Sequence, residues 1–380
     1  MSGGVDSSMC AHILHNQGYD VTGLYMHNWN HQEETQDEVC TSDRDWADVQ
    51  AVCEQIGIPA RRLDFSRQYW NQVFEVMLQE YDRGRTPNPD VTCNREIKFG
   101  ELIEWYSSTP SGWDYLATGH YARVEQDPVT GQARLLRAVD SNKDQTYYLS
   151  TLPEKVLRHA IFPLAQYDKP TVKKMAMTTG TVQLQNAATK KESMGICFVG
   201  QRRRFGEFLK EYLDTNPGPV RVDSVDGPQI GEHKGLFRYT VGQASGVTHG
   251  HQKWVVLRTD MPSNTLIVVD GTQNERLFSP GLVAEAWHWI AGRPPTKLFQ
   301  AKALDKFPFT AQIRHRQVPQ LCTIEPALED ASGVVDLASA KVFKVRFKNP
   351  QRAIAPGQQI VLYDQDECLG GAVIQSSLPS

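Results

Sequence analysis

An α/β unit built on a doubly wound parallel sheet, then a small central domain and a C-terminal β-barrel, is the architecture this sequence predicts. Over the first half, short runs of strand formers alternate with helical patterns, the signature of a parallel sheet covered by helices. From Gly235 onward the periodicity changes to short alternating strands separated by turns, as in a small barrel. At 380 residues the chain exceeds what one hydrophobic core usually organises, so several domains are expected. The expected boundaries are 1–200, 201–275 and 276–380.

Taken in order, Ser7 and Ser8 open a helix through Leu14, and Gly18 ends it. Asp20 to Met26 reads as a buried strand, with His27-Asn28-Trp29-Asn30 at the strand end where open α/β sheets bind ligands. A helix follows over Asp43 to Gln55, stopped by Gly57 and Pro59, then a strand over Ala60 to Phe65 and a helix over Tyr69 to Tyr81. Gly84 to Asn94, with two prolines and two asparagines, reads as a loop that ends at Cys93 before a helix starting near Glu96. A cysteine at a helix mouth tends towards thiolate. Trp113 to Thr118 is a further strand, and Phe205 to Leu213 a helix opened by Arg202, Arg203 and Arg204. Beyond the Pro/Gly-rich stretch 216–231, strands are expected at 254–257, 265–269, 311–314, 342–347 and 359–363. In Val342 to Lys348 a period of two sets Lys344, Arg346 and Lys348 on one face and Phe343, Val345 and Phe347 on the other. That cationic face is suited to phosphate contact or to plain solvation.

Composition removes some classes. No apolar run approaches the ~20 residues of a membrane helix, and the net charge of −4 restricts nucleic-acid binding to local basic patches. Seven cysteines without a C-x-x-C pair argue for a reducing compartment and against a disulfide framework or a four-cysteine zinc site.

The chemistry concentrates at Ser2-Gly3-Gly4-Val5-Asp6-Ser7-Ser8. Adjacent glycines let consecutive N–H groups face one concavity, and the helix that follows adds unpaired donors and a positive dipole end, so the stretch suits phosphate. No Lys-Ser/Thr follows at the spacing of a loop built for γ-phosphoryl transfer. Such a loop needs a strand to deliver it, and only Met1 precedes Ser2; a sequence begun late is therefore expected, which would also remove any targeting peptide.

The stretch resembles the PP-loop of ATP pyrophosphatases, S-G-G-x-D-S-[ST]. With G-L-Y-M-x-N-W at Gly23, T-P-N-P-D-x-x-C-N at Thr86, A-T-G-H-Y-A-R at Ala117, K-D-Q-[ST]-Y-[FY]-L at Lys143, S-M-G-I-C-F at Ser193, Y-T-x-G-Q at Tyr239, and A-P-G-Q and C-L-G-G near the end, nearly the whole chain is similar to the tRNA-specific 2-thiouridylases. It departs at Ala244, where many relatives carry Arg. The resemblance implies an ATP-dependent tRNA-uridine sulfurtransferase. In that reading uridine O2 attacks the α-phosphate of ATP, pyrophosphate leaves into the loop, and sulfur from a cysteine persulfide replaces AMP.

The resemblance also implies roles. Cys197 would carry the persulfide, Cys93 would release the sulfur through a transient disulfide with Cys197 or as free hydrosulfide, and Asp90 would be the acid/base. Asp90 as an N-cap is the plain structural alternative. Ser2, Gly3, Gly4, Asp6, Ser7, Ser8, Met26 and Gly119 would bind ATP with Mg2+, and Lys143, Gln145, Arg202, Arg203, Arg204, Lys344, Arg346 and Lys348 would face RNA. The implied partners are a tRNA with a wobble uridine, of the Lys, Glu or Gln type, and a persulfide donor; no membrane is involved and the enzyme is a monomer. A mitochondrial matrix location is expected, or the cytoplasm in a bacterium. The rival readings are another PP-loop adenylating ligase, which would need neither cysteine, and a tRNA-binding relative without catalysis.

Overall fold

The computed structural model describes residues 1–29, 41–108, 112–190, 205–224, 226–298, 307–327 and 340–379. The chain divides into two compact units: Met1–Phe74 with Asp90–Gln201 and Asp366–Cys368, and Glu75–Pro89 with Arg202–Gln365 and Leu369–Ser380.

In the first unit, β1 (Gly23–His27) and β2 (Ala60–Asp64) pair in parallel and are joined through the helix Thr41–Ile56. Gly23 opens β1 because a side chain there would fall 2.5 Å from Cys53 Sγ. A second parallel pair joins β3 (Leu116–Ala117), after the hairpin of β4 (Arg123–Gln126) and β5 (Ala133–Leu136), to β6 (Ala160–Ile161). Leu135 and Leu136 of β5 also pair with Cys368 and Glu367, which belong to this unit. The helix after the phosphate loop spans Val5–Asn16, beginning before Ser7 because Gly4, extended at φ −84° and ψ 159°, already serves as its N-cap. It packs through Val5, Met9 and Cys10 on Val172 and Leu184 of the helices Lys169–Thr178 and Val182–Thr189.

The expected strand over 113–118 is reduced to the two residues of β3. The helix expected near Glu96 starts instead at Pro89, runs to Cys93, widens over Asn94–Glu101 and ends at Ser107. Proline suits the first helical position, where its fixed φ is preorganised and its missing N–H would have had no partner.

The second unit holds a four-stranded sheet and a barrel. β7 (Gly218–Val222), β8 (Gln229–His233), β9 (Trp254–Asp260) and β10 (Thr265–Asp270) lie in the order β8-β7-β10-β9, with Val220, Trp254, Val256, Leu266 and Val268 as their core. The barrel comprises β11 (Phe278–Trp289), β12 (Phe309–Gln312), β13 (Gln320–Pro326), β14 (Phe343–Arg352), β15 (Gln359–Asp364) and β16 (Glu367–Ser377). Its order is β11-β14-β13-β12-β15-β16, and pairing of β11 with β16 closes it. Along β14, Phe343, Val345 and Phe347 are buried, Lys344 is half-buried, and Arg346 and Lys348 are exposed, as a period of two requires.

Phe343 lies at the centre of the barrel core, fully buried, with the rings of Trp287 and Trp289 at 5.3 and 5.6 Å. Phe343→Ala should therefore cost about 3–5 kcal/mol of stability, read from denaturant unfolding; a cost below about 1 kcal/mol would contradict this packing.

Candidate active site

The loop from Ser2 to Ser8 is closed by its own hydroxyls. Ser7 Oγ accepts from the Ser2 N–H at 3.1 Å and donates to Gly4 O at 3.2 Å, with Ser2 Oγ 3.3 Å away. Gly3 has φ +70°, a region that strains other residues, and a Cβ there would stand 3.0 Å from Asp48 Cβ. Asp48 in turn pairs with the ammonium of Lys190, so the chain immediately before residue 191 is tied beside the loop. Ser8 is fully buried, and its hydroxyl meets no hydrogen-bond partner among the described residues. A buried polar atom left this way costs free energy unless a ligand or water satisfies it.

Asp6 lies in the first turn of the helix and both its carboxylate oxygens are engaged. Oδ1 accepts from Tyr121 Oη at 2.8 Å, and Oδ2 from Lys169 Nζ at 2.6 Å. Lys169 is 7 % exposed, so its charge is held almost out of water beside the phosphate loop. Burial, and then the neighbouring Asp6 charge, raise the Tyr121 pKa, so its hydroxyl stays protonated and donates. The backbone of Tyr121 is pinned at both ends by Gln145, whose Oε1 accepts from its N–H and whose N–H donates to its carbonyl, each at 2.9 Å. A side chain at Gly119 would meet Ser7 N and Asp6 Cβ at 3.0 Å, so this strand end presses on the start of the helix. His120 is packed against Phe99 and Phe162, bonded to Thr118 Oγ1 at 2.8 Å, and kept neutral by burial, which lowers its pKa well below 6.5.

Cys93 and Asp90 share one helix. Cys93 is 4 % exposed and stands at the fifth residue from Pro89, so the helix-mouth argument for a thiolate lapses; the dipole effect is confined to the first turn. Asp90 lies in that first turn, which excludes the N-cap alternative. Its side chain reaches solvent, yet the protein around the carboxyl desolvates it and raises its pKa, with Lys98 acting in the opposite sense.

The other expected site residues are dispersed. Met26 is half-buried on β1, on the face opposite Tyr25. Lys143 is half-exposed beside Gln145, whose carbonyl is committed to Tyr121 rather than turned to a partner. Lys344, Arg346 and Lys348 line the outer face of β14, and Arg346 faces Glu325 at 3.8 Å, both well exposed, a pair of little energetic weight. Cys197, Arg202, Arg203 and Arg204 lie outside the described residues. Two residues at the loop went unnoticed in the sequence, Tyr121 and Lys169. Tyr121 sits inside the A-T-G-H-Y-A-R motif, whereas Asp168-Lys169-Pro170 reads as an ordinary helix start.

Comparison with known proteins matches residues 1–201 to the tRNA methyl transferase HUP domain family, 206–270 to the tRNA methyl transferase PRC-barrel domain, and 279–374 to the aminomethyltransferase beta-barrel domain. The tRNA-specific 2-thiouridylase MnmA of Proteus mirabilis (strain HI4320) is 42% identical over 384 residues, covering 100% of this chain and 96% of the relative. Those of Shigella flexneri (43%) and Escherichia coli O157:H7 (42%) match over 385 residues with the same coverage. The chain belongs to the tRNA-specific 2-thiouridylase family.

For a 2-thiouridylase the loop is chemically apt. Among the described residues no cluster of three or more His, Cys, Asp or Glu side chains could cage a metal. Lys169 would stabilise negative charge developing on departing pyrophosphate. Lys169→Ala should lower tRNA-dependent pyrophosphate release about 10²-fold or more, measured by a coupled pyrophosphate assay; a rate within about threefold of the parent would remove the cation from the step.

Proposed function

We propose that this chain is an ATP-dependent tRNA-uridine 2-sulfurtransferase. The observation that carries the reading is the Asp6–Tyr121–Lys169 constellation on an S-G-G-x-D-S-S loop, in the same unit as the helix bearing Asp90 and Cys93. A ligase using ammonia or an amine would have no use for that cysteine.

In the proposed reaction uridine O2 attacks the α-phosphorus of ATP, the bond to the β-phosphate oxygen breaks, and pyrophosphate leaves into the Ser2–Ser8 loop. A magnesium ion brought in by the nucleotide would be held mainly by phosphate oxygens, since both Asp6 oxygens are engaged, and would supply charge neutralisation there. The terminal sulfur of a Cys197 persulfide then adds at C2. The Cys93 thiolate attacks Cys197 Sγ, the S–S bond of the persulfide breaks with its electron pair going to the transferred sulfur, and AMP departs with the former O2. The products are 2-thiouridine, AMP, pyrophosphate and a Cys93–Cys197 disulfide, which external thiols reduce before the next turnover. Sulfur released as free hydrosulfide is the variant of this step. Asp90 takes and returns the proton, its raised pKa bringing it nearer to working pH.

The domains 1–200, 201–275 and 276–380 would divide the work, the first doing chemistry and the others presenting a tRNA of the Lys, Glu or Gln type. Arg202 to Arg204, Lys143 and the outer face of β14 would meet its phosphates. The enzyme would act as a monomer, fed by a persulfide donor, in the mitochondrial matrix or, in a bacterial host, the cytoplasm.

The test is thiolation of a tRNA transcript followed by nucleoside mass spectrometry. Cys197→Ser and Cys93→Ser should form no 2-thiouridine while still releasing pyrophosphate and leaving the tRNA adenylated; full thiolation by Cys197→Ser would sink the assigned role. A pH profile adds a second check. If ionised Asp90 is the base, the rate falls as pH drops through its pKa, at a higher pH than an ordinary carboxylate near 3.8 would give. Asp90→Asn should lose that limb along with most of the rate, and an unaltered limb would move the proton transfer elsewhere.

A further inference from the structure

The K-D-Q motif at Lys143 lies between β5 and the helix Thr146–Leu149, in a segment that folds on itself. Asp144 draws its ends together. Asp144 Oδ1 accepts from the N–H groups of Ala138 at 3.3 Å and Thr146 at 3.2 Å, and from Thr146 Oγ1 at 3.0 Å, while Arg137 Nη1 stands 3.6 Å from Oδ2. Inside the loop, Lys143 N donates to Asp140 O and Asn142 N to Asp140 Oδ1, each at 3.0 Å, so Asp140 is fixed through backbone and side chain alike. Val139 N, donating to Ala165 O at 3.4 Å, ties the loop to the chain beyond β6. Local bonds of this kind, from side chain to backbone, give a loop one preferred shape.

From this frame two arms reach the two partners of Asp6. One is Gln145, which takes the Tyr121 N–H on Oε1 and gives its own N–H to the Tyr121 carbonyl. The other is Asp140, whose Oδ2 accepts from the Lys169 N–H at 3.1 Å. That N–H opens a helix and has no partner within it. Pro170 has no N–H, and the N–H groups of Thr171 and Val172 are taken by Asp168, so Asp140 completes the first turn from which the Lys169 ammonium reaches Asp6. Tyr121 and Lys169 are both buried, and an acceptor lost here would leave a donor that water replaces poorly. All of these residues lie in the first unit.

Reacting groups must be held to a fraction of an ångström, since a misplacement of about 1 Å can cost about 10²-fold in rate. We propose that Gln145 and Asp140 are positioning residues for the phosphate loop: by fixing the backbones of Tyr121 and Lys169 they set where Asp6 and the Lys169 ammonium stand when pyrophosphate departs. The inference rests on the reading of the Ser2–Ser8 loop as the pyrophosphate site. It takes Gln145 out of the RNA contacts that the resemblance implies and gives it a role inside the site.

The experiment uses the full chain and a pair of variants that separate these roles. Gln145→Met keeps the length of the side chain and removes the acceptor. Gln145→Glu keeps the acceptor and adds a negative charge, which RNA would repel. Binding of inorganic pyrophosphate with magnesium is measured by calorimetry without tRNA. Gln145→Met should raise the dissociation constant about fivefold, and Gln145→Glu should stay within about twofold of the parent. In tRNA-dependent pyrophosphate release, kcat of Gln145→Met should fall about tenfold with KM for tRNA within about twofold, and Gln145→Glu should recover most of that loss. An RNA contact would give the opposite pattern, with pyrophosphate binding unchanged in both variants and KM for tRNA raised most by Gln145→Glu, and that result overturns the proposal. A purely structural role would lower the melting temperature of Gln145→Met while its folded fraction bound pyrophosphate normally, which overturns it equally. Asp140→Asn, left with one oxygen for the Lys169 and Asn142 N–H groups, covers the case in which Gln145→Met does not fold. It should move both readouts in the same direction by a smaller factor. A parent that neither binds nor releases pyrophosphate would sink the reading of the loop itself. If the parent binds it and the folded variants bind it equally well, that reading stands and the positioning role fails.

Discussion

The Asp6 carboxylate, shared between the Tyr121 hydroxyl and the Lys169 ammonium, is the contact on which the first unit's site depends. A lysine 7 % exposed must have a partner, because an unpaired buried charge costs several kcal/mol. Its partner is the one acid of the phosphate loop, and this joins three separate stretches of chain: the helix start at Val5, the turn after β3, and the start of the helix Lys169–Thr178. Gln145 adds a fourth by holding the backbone of Tyr121. A phosphate entering the loop would meet, beside Asp6, a cation already desolvated, a condition that strengthens electrostatic stabilisation.

The second constraint is the burial of Cys93. A cysteine that is buried and five residues into a helix is a poor nucleophile by exposure alone, so its usefulness depends on where the helix is placed.

Much of this was legible in the sequence, for physical reasons that differ by element. The alternation in Phe343 to Lys348 could be read because one face of β14 is core and the other is wet. β11 and β16 could not, since Pro280 and Gly281 in one and Gly370 and Gly371 in the other look like punctuation; the sheet accommodates them through register shifts. The helix start at Pro89 was hidden because proline marks both loops and first helical turns. Lys169 was hidden because its burial arises from helix packing that no local pattern encodes. Arg352 shows the converse: at the end of the cationic strand it looks available for phosphate, yet its guanidinium donates to the carbonyls of Thr272 and Gly242.

If the loop supports attack of the uridine oxygen on the α-phosphate, sulfur replaces an oxygen that leaves with AMP. A tRNA carrying 18O at C2 of its wobble uridine tests this directly when it is thiolated in one turnover and the AMP is weighed by mass spectrometry. One 18O atom should appear in AMP for each 2-thiouridine formed. Recovery of the label in water, with unlabelled AMP, would contradict it.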